Sequence, residues 1–278
     1  VNHLPNPDFY SGGPSAGEDV PKARSQIELF HHVLGSNTIR HVRSIYHPLI
    51  TTPNDIYAES PNSIYVTNDH FYREGLKRQL EDVIPIAKWS NIVHVRVDKL
   101  DSKDGASDVH ASVALTGLHN NNGLGHGAST KEILIDSACS GIMYRAKANE
   151  NNHTLSVVDS VELDSVADNP SYFEDPYATV KDDRSGYVVA GISRGIDLPK
   201  TFPDPTAKDG VMVWFVRPDS TQPGGWEKRL IFEDDGENIR TASAAVLVAM
   251  EPKDGQRKAW LFVTGFLSES MVAVEVEL

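Results

Sequence analysis

The chain has 278 residues and a net charge of −13, from 26 basic and 39 acidic side chains. That balance argues against a nucleic-acid partner, since phosphate binding needs a basic surface, and it suits a cation site or plain solubility. Hydrophobic content of 40% allows a real core, no run of about eighteen apolar residues offers a transmembrane helix, and the single Cys139 rules out an intramolecular disulfide without fixing a compartment.

In chain order, Val1-Asn2-His3-Leu4 reads as the end of a strand, so residues upstream of Val1 are expected, any signal peptide among them. Short apolar, β-branched runs then predict strands over Gln26–Val33, Ser63–Thr67, Ile92–Val97, Lys131–Ile135, Gly141–Lys147 and Thr154–Leu163. The same pattern continues over Gly186–Ile192, Gly210–Arg217, Glu227–Phe232, Ala244–Met250, Ala259–Phe266 and Met271–Val276. One segment, Phe71–Ile84, has helical spacing through Leu76, Leu80, Val83 and Ile84. Asp101–Ala111, Asp197–Gly210 and Pro218–Gly225 read as exposed loops. Many short strands between turns predict an all-β barrel, sandwich or propeller, and 1–278 reads as a single domain without a strict internal repeat.

Three Asn/Asp motifs hold the clearest chemistry. Pro53-Asn54-Asp55-Ile56 comes fourteen residues before Asn68-Asp69-His70, with the predicted strand Ser63–Thr67 between them. His119-Asn120-Asn121-Asn122-Gly123 and Asp168-Asn169-Pro170 follow. Each reads as a loop beside a strand, and each alone reads as an ordinary turn, because Asn and Asp side chains bond their own backbone. Together they offer hard oxygen ligands that could converge at one end of a propeller axis on Ca²⁺, which takes about six to eight oxygens at about 2.3–2.6 Å.

Other motifs are weaker. Gly191-Ile192-Ser193-Arg194-Gly195 matches Gly-x-Ser-x-Gly, but Pro199, Pro203 and Pro205 make the helix of a nucleophile elbow improbable. Gly123-Leu124-Gly125-His126-Gly127 lacks the strand–helix setting of a phosphate loop. Cys139 reads as structural in a turn, and Asn152-His153-Thr154 is a glycosylation sequon, usable if the protein is secreted.

Thr38-Ile39-Arg40-His41, Asn54-Asp55-Ile56 and Tyr65-Val66-Thr67-Asn68-Asp69-His70-Phe71 carry a resemblance. The chain resembles the serum paraoxonase/arylesterase family, with Asn122-Gly123, Val166-Ala167-Asp168-Asn169 and Leu261–Val276 falling in the family's order. The resemblance implies a six-bladed β-propeller holding two calcium ions in a central tunnel, this chain lacking part of the N-terminal blades. It implies a calcium-dependent hydrolase of lactones and aryl esters, and in some members of organophosphates. By position, Asn54, Asn122, Asp168 and Asn169 would hold the catalytic calcium and Asp55 the structural one. A further Glu ligand, an Asp ligand of the structural ion and the first of a histidine pair are expected upstream of Val1. His3 matches the second histidine, the candidate base that activates water. Asp69 and His70 would line or support the site, and Asn152 matches a glycosylation position. A further active-site histidine of the family falls at Ile192 and is not kept, which weighs against organophosphate hydrolysis. The implied partner is a small lactone or ester, the implied location secreted or membrane-associated. Two alternatives stand beside this: a gluconolactonase-like or strictosidine-synthase-like calcium propeller, and a non-catalytic propeller fragment stabilised by calcium.

Overall fold

Short β-branched runs joined by tight turns pair with their sequence neighbours as antiparallel meanders. The computed structural model of the chain describes residues 1–11, 20–84 and 86–278. Its strands are β1 (Asn2–Pro5), β2 (Ala23–His32), β3 (Ile39–Ile45), β4 (Pro53–Ser60), β5 (Ser63–Asn68), β6 (Ser90–Val97), β7 (Val109–Leu118), β8 (Asn121–His126) and β9 (Glu132–Ser137). They continue as β10 (Ile142–Ala148), β11 (Leu155–Glu162), β12 (Pro170–Phe173), β13 (Gly186–Ile192), β14 (Val211–Pro218), β15 (Trp226–Asp234), β16 (Ala242–Ala249), β17 (Lys258–Gly265) and β18 (Val272–Glu277). These form five sheets in chain order, β1–β3, β4–β7, β8–β11, β12–β15 and β16–β18. Each is a three- or four-stranded meander, the form of a propeller blade, and the fold is all-β and of the β-propeller class, as predicted.

The chain forms two compact units: Val1–Asn121 with Asn152–Thr154, and Asn122–Asn151 with Leu155–Leu278. The first is built on β1–β3 and β4–β7, and its core is Ile27, Ile45, Ile50, Val66, Val93 and Val95 with their neighbours. The second holds the other three sheets. One of its cores joins Val188, Val213 and Phe215 to Ala245, Leu261 and Val263, and another joins Leu134 and Met143 to Tyr187, Val189 and Trp226.

Every strand predicted from the apolar runs is present, with ends shifted by at most three residues. The sequence reading passed over β3, β4, β7, β8 and β12, whose Pro, Asn, Gly or basic residues imitate turns or surface. Helix α1 (Pro7–Ser11) and the four-residue α3 (Leu198–Thr201) were not predicted either.

Helix α2 (Leu76–Val83) is shorter than Phe71–Ile84, since Gly75, at φ 85°, marks its start. Its apolar stripe does not face the core: Leu76 is 71% and Val83 65% exposed. The side chain turned inward is Glu81, whose carboxylate accepts bonds from Phe71 N (2.9 Å) and Tyr72 N (3.0 Å). His119 Nε2 donates to the Glu81 carbonyl at 2.5 Å. The two backbone donors of Phe71 and Tyr72 set the helix's rotation, their bonds to the Glu81 carboxylate outweighing the cost of leaving Leu76 and Val83 exposed.

Candidate active site

In the first unit the motif Pro53-Asn54-Asp55 is not in a loop. It opens β4, with Pro53 opposite Asn68, and the register slips between Pro53 and Ile56. Such a bulge takes a residue out of the ladder and re-aims its side chain, and Asn54 is exposed beside its buried neighbour Pro53. Asp55 N donates to Thr67 Oγ1 (2.9 Å), and Asp55 Oδ1 accepts from Ile56 N (2.7 Å), which locks the slip.

The second Asn-Asp pair holds this motif in place. Asn68 is fully buried; its Oδ1 accepts from Thr51 N (2.9 Å) and Thr52 N (3.0 Å). Its Nδ2 donates to Leu49 O and Asn91 Oδ1, both at 2.8 Å. Three of the four hydrogen bonds of this amide are therefore spent on the segment leading into Asn54, and the fourth ties it to Asn91 of β6.

His3 stands in β1 opposite Ser25 of β2. Ser25 Oγ donates to Thr51 O (3.2 Å) and lies 2.9 Å from His3 Nδ1. With the serine proton committed to Thr51, His3 Nδ1–H is the donor and the neutral ring leaves Nε2 as a bare acceptor. His3, Ser25, Thr51, Asn54, Asp69 and Arg73 are among the walls of one open cleft of about 390 Å³. Arg73 is anchored there by its bond to Ala23 O (2.9 Å).

His70 sits behind Asp69, buried, with Nδ1 2.9 Å from Asp69 Oδ1 and Nε2 2.6 Å from Asp82 Oδ1 on α2. Burial alone would favour the neutral ring, but the two carboxylates outweigh it and raise the His70 pKa. His70 is thus a link from the end of β5 to α2. Asp82, itself held below the ordinary carboxylate range against its burial by His70 and Arg78, is the other half of that link.

In the second unit the other three expected ligands come together. Asn122 lies in β8, not in a turn; the turn comes one step earlier, where Asn120 takes φ 48°. Asp168 and Asn169 immediately precede β12, and Asp168 N donates to Ala190 O (3.0 Å). Gly123 N donates to Asp168 O at 3.1 Å. A Cβ on Gly123 would stand 2.1 Å from Asp168 O and 2.8 Å from Asn169 Oδ1, and one on Gly125 would stand 2.3 Å from Pro170 O. The alternating glycines are therefore neither turn nor phosphate loop; they let β8 lie against the backbone of Asp168–Pro170. Asn169 Nδ2 donates to Ser243 O (2.9 Å) and Ser243 Oγ (3.0 Å), which fixes the amide's flip and commits Oδ1 to the other side.

Gly191-Ile192-Ser193-Arg194-Gly195 ends β13. A Cβ on Gly191 would stand 1.6 Å from Val166 O, and Ser193 Oγ donates to Gly210 O at 3.0 Å. Against expectation a short helical stretch does follow, a 3-10 turn at Gly195–Asp197 and then α3. The glycines nonetheless serve packing and the serine proton is spent on a carbonyl. Cys139 is exposed in the turn after β9. Asn152 is exposed too, its Oδ1 accepting from Thr154 N (3.1 Å) and Thr154 Oγ1 (2.8 Å).

The family profile described as Arylesterase matches residues 19–179, more than half of the chain. The chain belongs to the arylesterase family. Serum paraoxonase/arylesterase 2 of Gallus gallus is 30% identical over 152 residues, which are 54% of this chain and 39% of the relative. Serum paraoxonase/arylesterase 1 of Mus musculus is 27% identical over 151 residues, again 54% of this chain and 39% of the relative. The human serum paraoxonase/arylesterase 1 is 34% identical over 74 residues, 27% of this chain and 21% of its own. The chain thus covers about two fifths of the length of the chicken and mouse proteins. Among solved structures, a luciferin-regenerating enzyme aligns with 92% of this chain and 72% of its own at 10% identity, with a TM-score of 0.46.

The arylesterase match includes Asn54, Asp55, Asn122, Asp168 and Asn169 and leaves His3 outside. These five side chains present only carboxylate and amide oxygens, the donor set of a hard cation. The fixed flip of Asn169, with its oxygen turned from Ser243, fits the calcium that the resemblance implies. Ser25 and Asn68, which hold His3 and the Asn54 bulge, were not read for that work in the sequence: Ser25 falls just before the predicted strand Gln26–Val33, and Asn68 was grouped with the oxygen ligands.

Proposed function

We propose that this arylesterase-family chain is a calcium-dependent hydrolase of aryl esters and lactones. The reading is carried by the cleft that His3 and Asn54 share in the first unit, in a chain whose Asn122, Asp168 and Asn169 lie together around Gly123 in the second. Asn122, Asp168 and Asn169 of the second unit would offer oxygens to the catalytic ion; Asn54 and Asp55 of the first are assigned to the catalytic and the structural ion by the resemblance alone. Bound there, Ca²⁺ supplies positive charge for the substrate carbonyl oxygen and the oxyanion it becomes. His3 Nε2 takes a proton from the attacking water, while Ser25 keeps Nδ1–H in place and the ring oriented. The proton then passes from His3 to the departing alkoxide or phenoxide. His70, between Asp69 and Asp82, fixes the wall of the cleft.

The names of the serum relatives support a secreted location. Among the described residues no helix is long and apolar enough to cross a membrane. In a secreted form Asn152 is the glycan acceptor, its exposed side chain already bonded to the Thr154 hydroxyl that the sequon requires.

The test is hydrolysis of an aryl acetate and of a lactone by the purified protein, before and after chelation. Activity that disappears with chelator and returns with Ca²⁺ supports the reading. Bound calcium without hydrolysis of either substrate supports the stabilised, non-catalytic alternative instead.

A further inference from the structure

Away from the cleft, three side chains that the ester reading does not use meet in the first unit. Glu59 stands near the end of β4 and His94 in β6, and the segment Asn152–Thr154, which packs with this unit, brings His153 beside them. The two imidazoles stack face to face, centroids 4.0 Å apart and planes 3° from parallel. His153 Nδ1 is 3.4 Å and His94 Nε2 3.7 Å from Glu59 Oε2, and the three ligand atoms all lie within 4.8 Å of one another.

Hydrogen bonding does not account for the group. Ser63 Oγ lies 2.7 Å from both Glu59 Oε2 and His94 Nε2, and serves those two. His153 Nδ1 is buried without a hydrogen-bond partner, on a residue held at φ 55°, a conformation side chains other than glycine rarely take. Neutral imidazoles are metal ligands.

Tetrahedral bonds of about 2.0–2.2 Å place neighbouring ligand atoms about 3.3–3.6 Å apart. Two edges of the triangle, at 3.4 and 3.7 Å, are close to that spacing already, and one of the stacked rings must turn out of parallel for both in-plane lone pairs to meet one ion. Two imidazoles with one carboxylate suit a borderline cation, where the oxygen-only set around Asp168 suits a hard one.

We propose that Glu59, His94 and His153 form a binding site for a divalent transition ion of the Zn²⁺ class, separate from the calcium ligands. The site leaves a fourth position to water or to Ser63 Oγ. Its ligands come from β4, β6 and the 152–154 segment, so an ion there ties that segment to the sheet.

The test is calorimetric titration of the chelator-treated, desalted protein with Zn²⁺ in saturating Ca²⁺. The expected result is one Zn²⁺ per chain, and a visible absorption spectrum of tetrahedral type when Co²⁺ replaces it. Glu59→Gln and His153→Ala should each weaken binding at least about tenfold. His126→Ala, an exposed imidazole outside the cluster, should leave it unchanged. Glu59→Gln is an isosteric change at an exposed residue, and its melting temperature without metal verifies the fold. No binding to the parent protein, or equal affinity in the parent, Glu59→Gln and His153→Ala, overturns the proposal. Neither result bears on ester hydrolysis.

Discussion

In the proposed mechanism His3 works through one nitrogen. Its Nδ1 lies 2.9 Å from Ser25 Oγ, which leaves Nε2 to act as the base. His3→Gln should lower the turnover of a lactone by about 10²–10⁴-fold while leaving calcium affinity unchanged, since imidazole is a poor ligand for a hard cation. Full activity in that variant would remove His3 from the mechanism. Gly123 is the opposite case, a residue that acts by what it lacks. Gly123→Ala drives a methyl into Asp168 O and should cost about 1–3 kcal/mol in urea unfolding, with weaker calcium binding as the clustered ligands are pushed apart. An unchanged unfolding midpoint would contradict the close approach. At this scale the sequence pointed to the Asn/Asp residues as an oxygen set, because a hard cation admits few residue types. Which of them clamp backbone was not legible: Asn68-Asp69 and Asn54-Asp55 look alike as text, yet Asn68 spends three of its four amide bonds on residues 49–52 and Asn54 stands in the cleft.

Among elements, strands with β-branched runs declared themselves because their own residues favour a half-buried pleat. β4 and β8 did not, because Pro, Asn and Gly imitate turns. They are strands through their partners: Asn68 and Val66 pair across from β4, and the backbone of Asp168–Pro170 lies against β8. For α2 the spacing was right and the buried face wrong, since periodicity cannot tell that two backbone donors await Glu81. The loop between β13 and β14 was predicted as exposed, yet it is pinned from inside. Asp209 and Arg240 are both buried and joined at 2.6 Å, and Arg240 also donates to Asp204 O (2.8 Å) and Thr201 O (3.1 Å). Asp209→Ala leaves that guanidinium buried and unpaired and should cost about 3–5 kcal/mol, read as a lower melting temperature. A loss below about 1 kcal/mol would mean that water reaches Arg240.

For the whole molecule, the charge of −13 was legible and predicts solubility, but the groups that set its pH range were not. Glu28 is opposed by burial, yet Ser44, His41, Gln26 and Asn2 pull its pKa down from 4.5 to about 2. A depressed carboxylate stabilises above its unfolded pKa, so this contribution is whole above pH 4.5 and is lost as the pH falls toward 2. His70 runs the other way. Its raised pKa contributes stability that is full below 6.5 and is lost as the pH rises through the folded value. Unfolding midpoints should therefore fall on both sides of that interval. Glu28→Gln should flatten the acid limb and His70→Gln the alkaline one. A parent profile unaltered by either variant would contradict both assignments. The all-β propeller class was readable from strand rhythm and family motifs together; the division into two compact units was not, because strand patterns run across it without a change in composition.

The central claim is the proposal that the Asn/Asp oxygen set binds calcium for ester hydrolysis, in which Asp168 is the one carboxylate that this chain's described residues would give the catalytic ion. Calcium affinity and lactone hydrolysis should be measured together on the parent protein and on Asp168→Ala. The account predicts that the substitution removes activity and weakens calcium binding in step, because the remaining neutral amides supply geometry without charge. Hydrolysis that persists in Asp168→Ala, or calcium affinity equal to the parent's, would contradict it.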